Sequence, residues 1–200
     1  MPLELPLITD RQERRDAAEN RQRILTAARA VLKAGGPGAV TMDAVAAAAG
    51  VGKGTVFRRF GDRAGLMTQL TNDYMRDFQD AFLSGPPPLG PGAPAAERLL
   101  AFSTALIFLQ REHLSIALAG ELRPGDAPVR VYGALRLHAA ALIREINPAL
   151  DANILASLIL GAIAPPVLHQ LDADPDAIAA SFGRLLAGIT AGTSDPGEPR

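Results

Sequence analysis

The stretch TMDAVAAAAGVGKGTVFRRF, Thr41 to Phe60, places Lys53, Arg58 and Arg59 behind a glycine-rich turn in an otherwise Ala-rich chain. Cations beside glycines suit phosphate chemistry, because backbone N–H groups and a lysine can cradle a phosphate. The spacing excludes a Walker-type nucleotide loop, which needs glycine where Ala47 stands and Ser or Thr where Gly54 stands. It also excludes the dinucleotide fingerprint, which needs a preceding strand and Gly-x-Gly-x-x-Gly. Elsewhere reactive groups are sparse. There is no cysteine, the three histidines are scattered, and no carboxylates pair at a recognisable spacing. Glu112 and His113 are adjacent, but neighbours on a helix point about 100° apart. No nucleophile and base come together, so catalysis, metal binding and a cofactor are not expected.

The elements around the stretch give its cations a different use. Arg21 to Lys33 reads as a helix with Ile24, Ala28, Val31 and Leu32 on one face, stopped by GGPG at 35–38. Thr41 offers an oxygen to cap a second helix, Met42 to Ala49, which Gly50 ends. A third follows through Phe60, with Val56 and Phe60 facing inward one turn apart. Two short helices across a tight turn, over a small core of Val45, Ala49, Val51, Val56 and Phe60, form a helix-turn-helix. Such a pair sets its second helix in the major groove of B-DNA. Lys53, Gly54, Thr55, Phe57, Arg58 and Arg59 are then left on the exposed face. Arginine can pair bidentately with guanine, lysine can reach guanine or phosphate, and glycine permits close approach.

Charge follows the same division. Residues 1–63 hold 11 Lys/Arg against 7 Asp/Glu, and residues 64–200 hold 9 against 14. A basic head therefore precedes an acidic body, which suits a polyanion contact at one end. The Ala and Leu excess, the few aromatics and the lack of alternating β-branched runs predict an all-α fold. Residues 1–20 are expected to be a charged, partly disordered arm, 21–66 the DNA-binding head and 67–84 a connecting helix. In that helix, which Asp62 can cap, Leu66, Leu70, Tyr74, Phe78 and Phe82 draw one stripe. Ser84 to Pro94 has five prolines and three glycines in eleven positions, and 85–94 reads as the linker. Helices are expected near 95–113, 114–122, 128–146, 151–170 and 176–190, before a disordered tail at 191–200. The N-terminus lacks the pattern of a signal peptide. The longest uncharged apolar stretch, Ile154 to Leu168, is shorter than the roughly 20 residues a membrane span requires. The expected location is the cytoplasm, with no membrane partner.

From Ile24 to about Leu66 the sequence resembles the tetracycline-repressor (TetR) family of bacterial regulators. RILTAARAVL matches its first helix, VTMDAVAAAAGVGKGTVFRRF its helix-turn-helix and GDRAGL the start of its fourth helix. The resemblance implies a homodimer with an N-terminal DNA-binding head and a C-terminal helical body that dimerises and binds a small molecule. It also implies that Thr41 touches phosphate, that Lys53, Gly54 and Thr55 face the groove, that Arg58 and Arg59 contact base or backbone, and that Arg63 meets phosphate. Phe57 departs from the tyrosine common there, and Gly52 from the frequent serine cap.

For the body, the last two helices are the dimer candidates, with Ile178, Phe182, Leu185 and Ile189 in a stripe and Ala156, Gly161 and Ala162 small enough for close approach. Phe102, Leu106, Leu109 and His113 follow one helical stripe, and Val131, Leu135, His138 and Leu142 another. These residues, with Tyr132, are the candidate contacts for a largely apolar effector. The expected function is a ligand-released repressor that binds an inverted-repeat operator as a dimer. A helical small-molecule enzyme and a non-specific architectural DNA binder are the alternatives.

Overall fold

The computed structural model describes residues 7–118, 129–171 and 173–191. They form helices and loops with no strand, as the composition predicts: α1 (Leu7–Ala39), α2 (Met42–Ala49), α3 (Lys53–Phe60), α4 (Arg63–Ser84), α5 (Ala95–Leu118), α6 (Val129–Ile146), α7 (Ala152–Ala162), α8 (Pro165–Leu171) and α9 (Pro175–Ala191). Among these residues no single helix is long and apolar enough to cross a membrane. Two compact units are present: a head that runs to Asp73 and also takes in residues 116–118, and a body from Tyr74.

In the head, α1 buries Ile24, Leu25, Ala28 and Leu32 at helical spacing and packs on α2, which packs on α3. Helical dihedrals break at Gly36 (φ 69°, ψ −175°), within the GGPG expected to stop the helix. At its other end α1 begins at Leu7, well before Arg21. The charged residues there are tolerable helix formers, and an Arg15–Glu19 pair at 3.3 Å lies along the helix one turn apart. Residues 1–6 of the expected arm lie outside the described residues.

The body is built on Phe78, Phe82 and Phe102, whose ring centroids are each 5.3 Å from the other two. Leu99, Leu106, Leu135, Ile143, Ile159 and Leu186 extend the same core. Asp151 caps α7, accepting from the backbone N–H of Asn153 at 3.1 Å and of Ile154 at 3.0 Å. Arg111 on α5 donates to the carbonyls of Leu168 at 3.2 Å and Ala173 at 3.1 Å, tying down the end of α8.

Three sequence expectations change. The stretch 85–94 is non-helical as expected, but it does not separate the two units. Leu89 packs on the body core, and the division falls within α4, whose first turns are tied to α1 through Arg29–Asp73 and Arg21–Gln69. The helix starting at Ala95 runs unbroken through residues 113 and 114 to Leu118, since no glycine or proline interrupts it, and 119–122 lie outside the described residues. The helix expected over 151–170 is two, because Pro165 cannot donate to the preceding turn and instead opens α8, bent 50° from α7. Residues 192–200 of the expected tail also lie outside the described residues.

Candidate nucleic-acid interface

The turn between α2 and α3 is fixed at both ends by local bonds. Thr41 Oγ1 accepts from the Ala44 N–H at 3.1 Å, and Gly50 ends α2 in the left-handed conformation (φ 63°, ψ 36°), where a side chain would be strained. Gly52 precedes α3 with no side-chain cap. Beneath the turn Val45, Ala49, Val56 and Phe60 are buried and Val51 is half-buried, so the predicted small core is present. Helix α4 is packed closely against the end of α3. Asp62 Oδ1 accepts from the Gly65 N–H at 2.7 Å, and a Cβ on Gly65 would lie 2.1 Å from the Phe60 carbonyl oxygen.

With Val56 and Phe60 inward, α3 presents Lys53, Gly54, Phe57, Arg58 and Arg59 to solvent, while Thr55 is half-buried. The three cations differ in their surroundings. Lys53 Nζ is 2.7 Å from Asp43 across the turn and 5.7 Å from the centroid of the Phe57 ring. Arg59 donates to the Ala17 carbonyl of α1. Among the described residues Arg58 has no hydrogen-bond or ion-pair partner. Arg63 is turned inward, with Nε 2.5 Å from the Val40 carbonyl and a terminal nitrogen 2.5 Å from that of Pro37, so it braces the break at the end of α1. None of these partners was read from the sequence. Thr41, beside the turn, is exposed.

Residues 24–70 match the profile of the bacterial regulatory proteins of the tetR family. The chain carries a tetR-family head. No curated protein is significantly similar to it. Its tetR-type fold extends past the head. A TetR-family transcriptional regulator from Pectobacterium atrosepticum aligns over 94% of this chain and 99% of its own, with a TM-score of 0.65 and 20% identity. A transcriptional regulator from Rhodococcus aligns over 86% and 94%, with a TM-score of 0.60 and 19% identity. A FadR from Bacillus subtilis, solved in complex with stearoyl-CoA, aligns over 82% and 96%, with a TM-score of 0.56 and 21% identity.

In the body of this tetR-type fold the candidate effector contacts are only partly brought together. Phe102 and Leu106 are fully buried and Leu109 is partly buried. His138 packs on Phe82 and Phe102, with centroids at 4.3 and 5.1 Å. Its buried Nε2 has no partner among the described residues, and burial, helped by the nearby Arg98 charge, lowers its pKa to about 4. Tyr132 stands apart, partly exposed, its hydroxyl accepting from Gln110 at 3.3 Å. It borders a separate hollow of about 350 Å³ with Arg136 and Ser157. The His113 side chain lies outside the described residues. A larger hollow of about 510 Å³ is almost wholly apolar and lies among α7, α8 and α9, lined by Val167, Leu171, Phe182 and Leu185 but by none of the candidate contacts. No group of metal-ligating side chains occurs among the described residues.

The stripe assigned to dimer contact on α9 divides. Phe182 is buried in the body's own core with Ile178 against it, whereas Leu185 points outward. Residues 178, 182 and 186 follow the inward face at four-residue spacing, which leaves 185 beside it. The Ile189 side chain lies outside the described residues.

Proposed function

We propose that this protein is a cytoplasmic, homodimeric repressor that binds an inverted-repeat operator and leaves it when a small, largely apolar effector enters the body. The observation that carries the reading is the cationic outer face of α3 on a tetR-type helix-turn-helix. Thr41, Lys53, Gly54, Thr55, Phe57, Arg58 and Arg59 are its DNA-binding set, and Arg63 joins it by leaving the Val40 and Pro37 carbonyls for a phosphate. An inverted repeat follows from two such helices about 34–36 Å apart, one turn of duplex.

The dimer reading is supported by Ile154, Leu158, Leu171 and Leu185 on α7 to α9, each more than half exposed. Large apolar side chains gathered on neighbouring elements suit burial against a second copy. The effector reading is supported by the orphan nitrogen of His138, which would welcome one polar group of a ligand once the core side chains Phe102, Leu106 and Leu109 part to admit it. Tyr132 and His113 complete the proposed contact set. The FadR complex with stearoyl-CoA is a precedent for a ligand with a long apolar chain on this fold. Helix α4 is continuous from head to body, so strain in the body reaches α3 through it. A coupling of about 1–3 kcal/mol would suffice for regulation.

The test is a footprint of the purified protein on the DNA flanking its own gene and on a genome-wide fragment pool, at near-physiological salt. Protection of an inverted repeat that disappears in Lys53→Ala and Arg59→Ala supports the reading. Protection of no fragment in either set refutes it.

A further inference from the structure

A hollow of about 320 Å³ lies between the first half of α1 and the recognition helix α3, lined by Ala17, Asn20, Ile24, Thr55, Arg58 and Arg59. Its polar lining sets it apart from the apolar hollow among α7, α8 and α9. Two guanidinium-bearing residues, an amide and a hydroxyl surround a floor formed by Ala17 and the buried Ile24. The Asn20 carbonyl oxygen already accepts from Arg23, so its amide N–H groups remain to donate. Arg59 reaches across the hollow to the Ala17 carbonyl, closing one wall, and Arg58 carries a charge with no partner among the described residues. Among the described residues no carboxylate lines the space.

An anion-accepting hollow beside the helix that enters the major groove would meet the sugar-phosphate backbone at the groove's edge. We propose that it seats one backbone phosphodiester of the bound duplex, with Asn20, Thr55 and Arg58 as donors. The inference rests on the DNA-binding reading and adds to it a role for α1. The early turns of that helix, beyond the part the sequence motif covers, become part of the DNA-binding surface. A phosphate contact carries no base information, so it fixes register and raises affinity for every sequence alike.

The experiment measures binding of the full chain to its protected fragment and to a duplex of unrelated mixed sequence, across a salt series. Asn20→Asp places a carboxylate in the seat and is expected to weaken both duplexes by about tenfold, leaving their ratio unchanged. Arg58→Ala is expected to make the slope of log K against log salt shallower by about 0.9. Asn20→Ala removes the donor without adding charge and decides the matter if the aspartate disturbs α1, as thermal melts will show. Full affinity in both Asn20 variants, or a loss confined to the protected fragment, overturns the proposal. Failure of the unaltered protein to bind either duplex would instead remove the DNA-binding reading on which the seat depends.

Discussion

His138 makes the stability of the body depend on pH in a calculable direction. Its folded pKa is about 4 against 6.5 for the free side chain, chiefly because burial against Phe82 and Phe102 disfavours the imidazolium. A depressed histidine pKa means that the unfolded chain binds more protons between those values, so stability falls as pH drops through that window and is complete above it. At about 1.4 kcal/mol per tenfold change in proton affinity, the full difference is about 3 kcal/mol. His138 is not wholly enclosed, and screening by solvent reduces this to about 2 kcal/mol. The assay is urea unfolding of the wild type and of His138→Phe at intervals from pH 7.5 to pH 4. Carboxylates titrate in the lower part of this range in both proteins, so the difference between the two curves isolates the histidine. The variant should gain on the wild type progressively below about pH 6.5. It should also be no less stable at pH 7.5, because the orphan Nε2 is gone. Parallel curves would refute the argument, since they would mean that His138 titrates alike in the folded and unfolded chain.

Gly65→Ala should destabilise the head by about 2 kcal/mol or more, because its Cβ would press on a backbone oxygen that cannot rotate away; head-specific hydrogen exchange would register it. Arg29→Met should cost about 3 kcal/mol by leaving the buried Asp73 carboxylate short of its cation at 2.6 Å, and Arg29→Met with Asp73→Leu should recover much of that in the same unfolding assay. Thr41→Ala should cost about 1 kcal/mol through the lost cap on α2. Leu158→Glu with Leu185→Glu should yield a folded monomer in sedimentation and lose the footprint, whereas a persistent dimer would place the interface elsewhere.

The sequence was most legible where short-range chemistry decides. Thr41, Gly50 and Asp62 mark helix ends through bonds made within a few residues, and the structure shows each of them. The outer face of α3 was legible because Val56 and Phe60, one turn apart, fix which side is buried. The partners of the cations on α3 and at the start of α4 were not, because Asp43, the Ala17 carbonyl and the carbonyls of Pro37 and Val40 lie well away in sequence and meet Lys53, Arg59 and Arg63 only through the packing of α1 to α4. Gly65 lay within a recognised motif, yet its need for a bare backbone depends on where Phe60 ends α3. In the body, a stripe containing histidine looks the same whether it lines an open cavity or a closed core. Phe102 and His138 proved to pack against each other.

The contact between Lys53 and Asp43 bears on how this head would read DNA. The lysine does not wait as a bare charge; it already holds a carboxylate at 2.7 Å, an intramolecular stand-in for phosphate. Engaging a duplex there is an exchange of one anion for another, so the gain from that lysine is the difference between two ion pairs. Such a built-in competitor lowers the lysine's contribution on every duplex alike, so discrimination is left to the other side chains of α3. An acidic residue that never touches DNA would thereby set how strongly the head holds it, not which sequence it prefers.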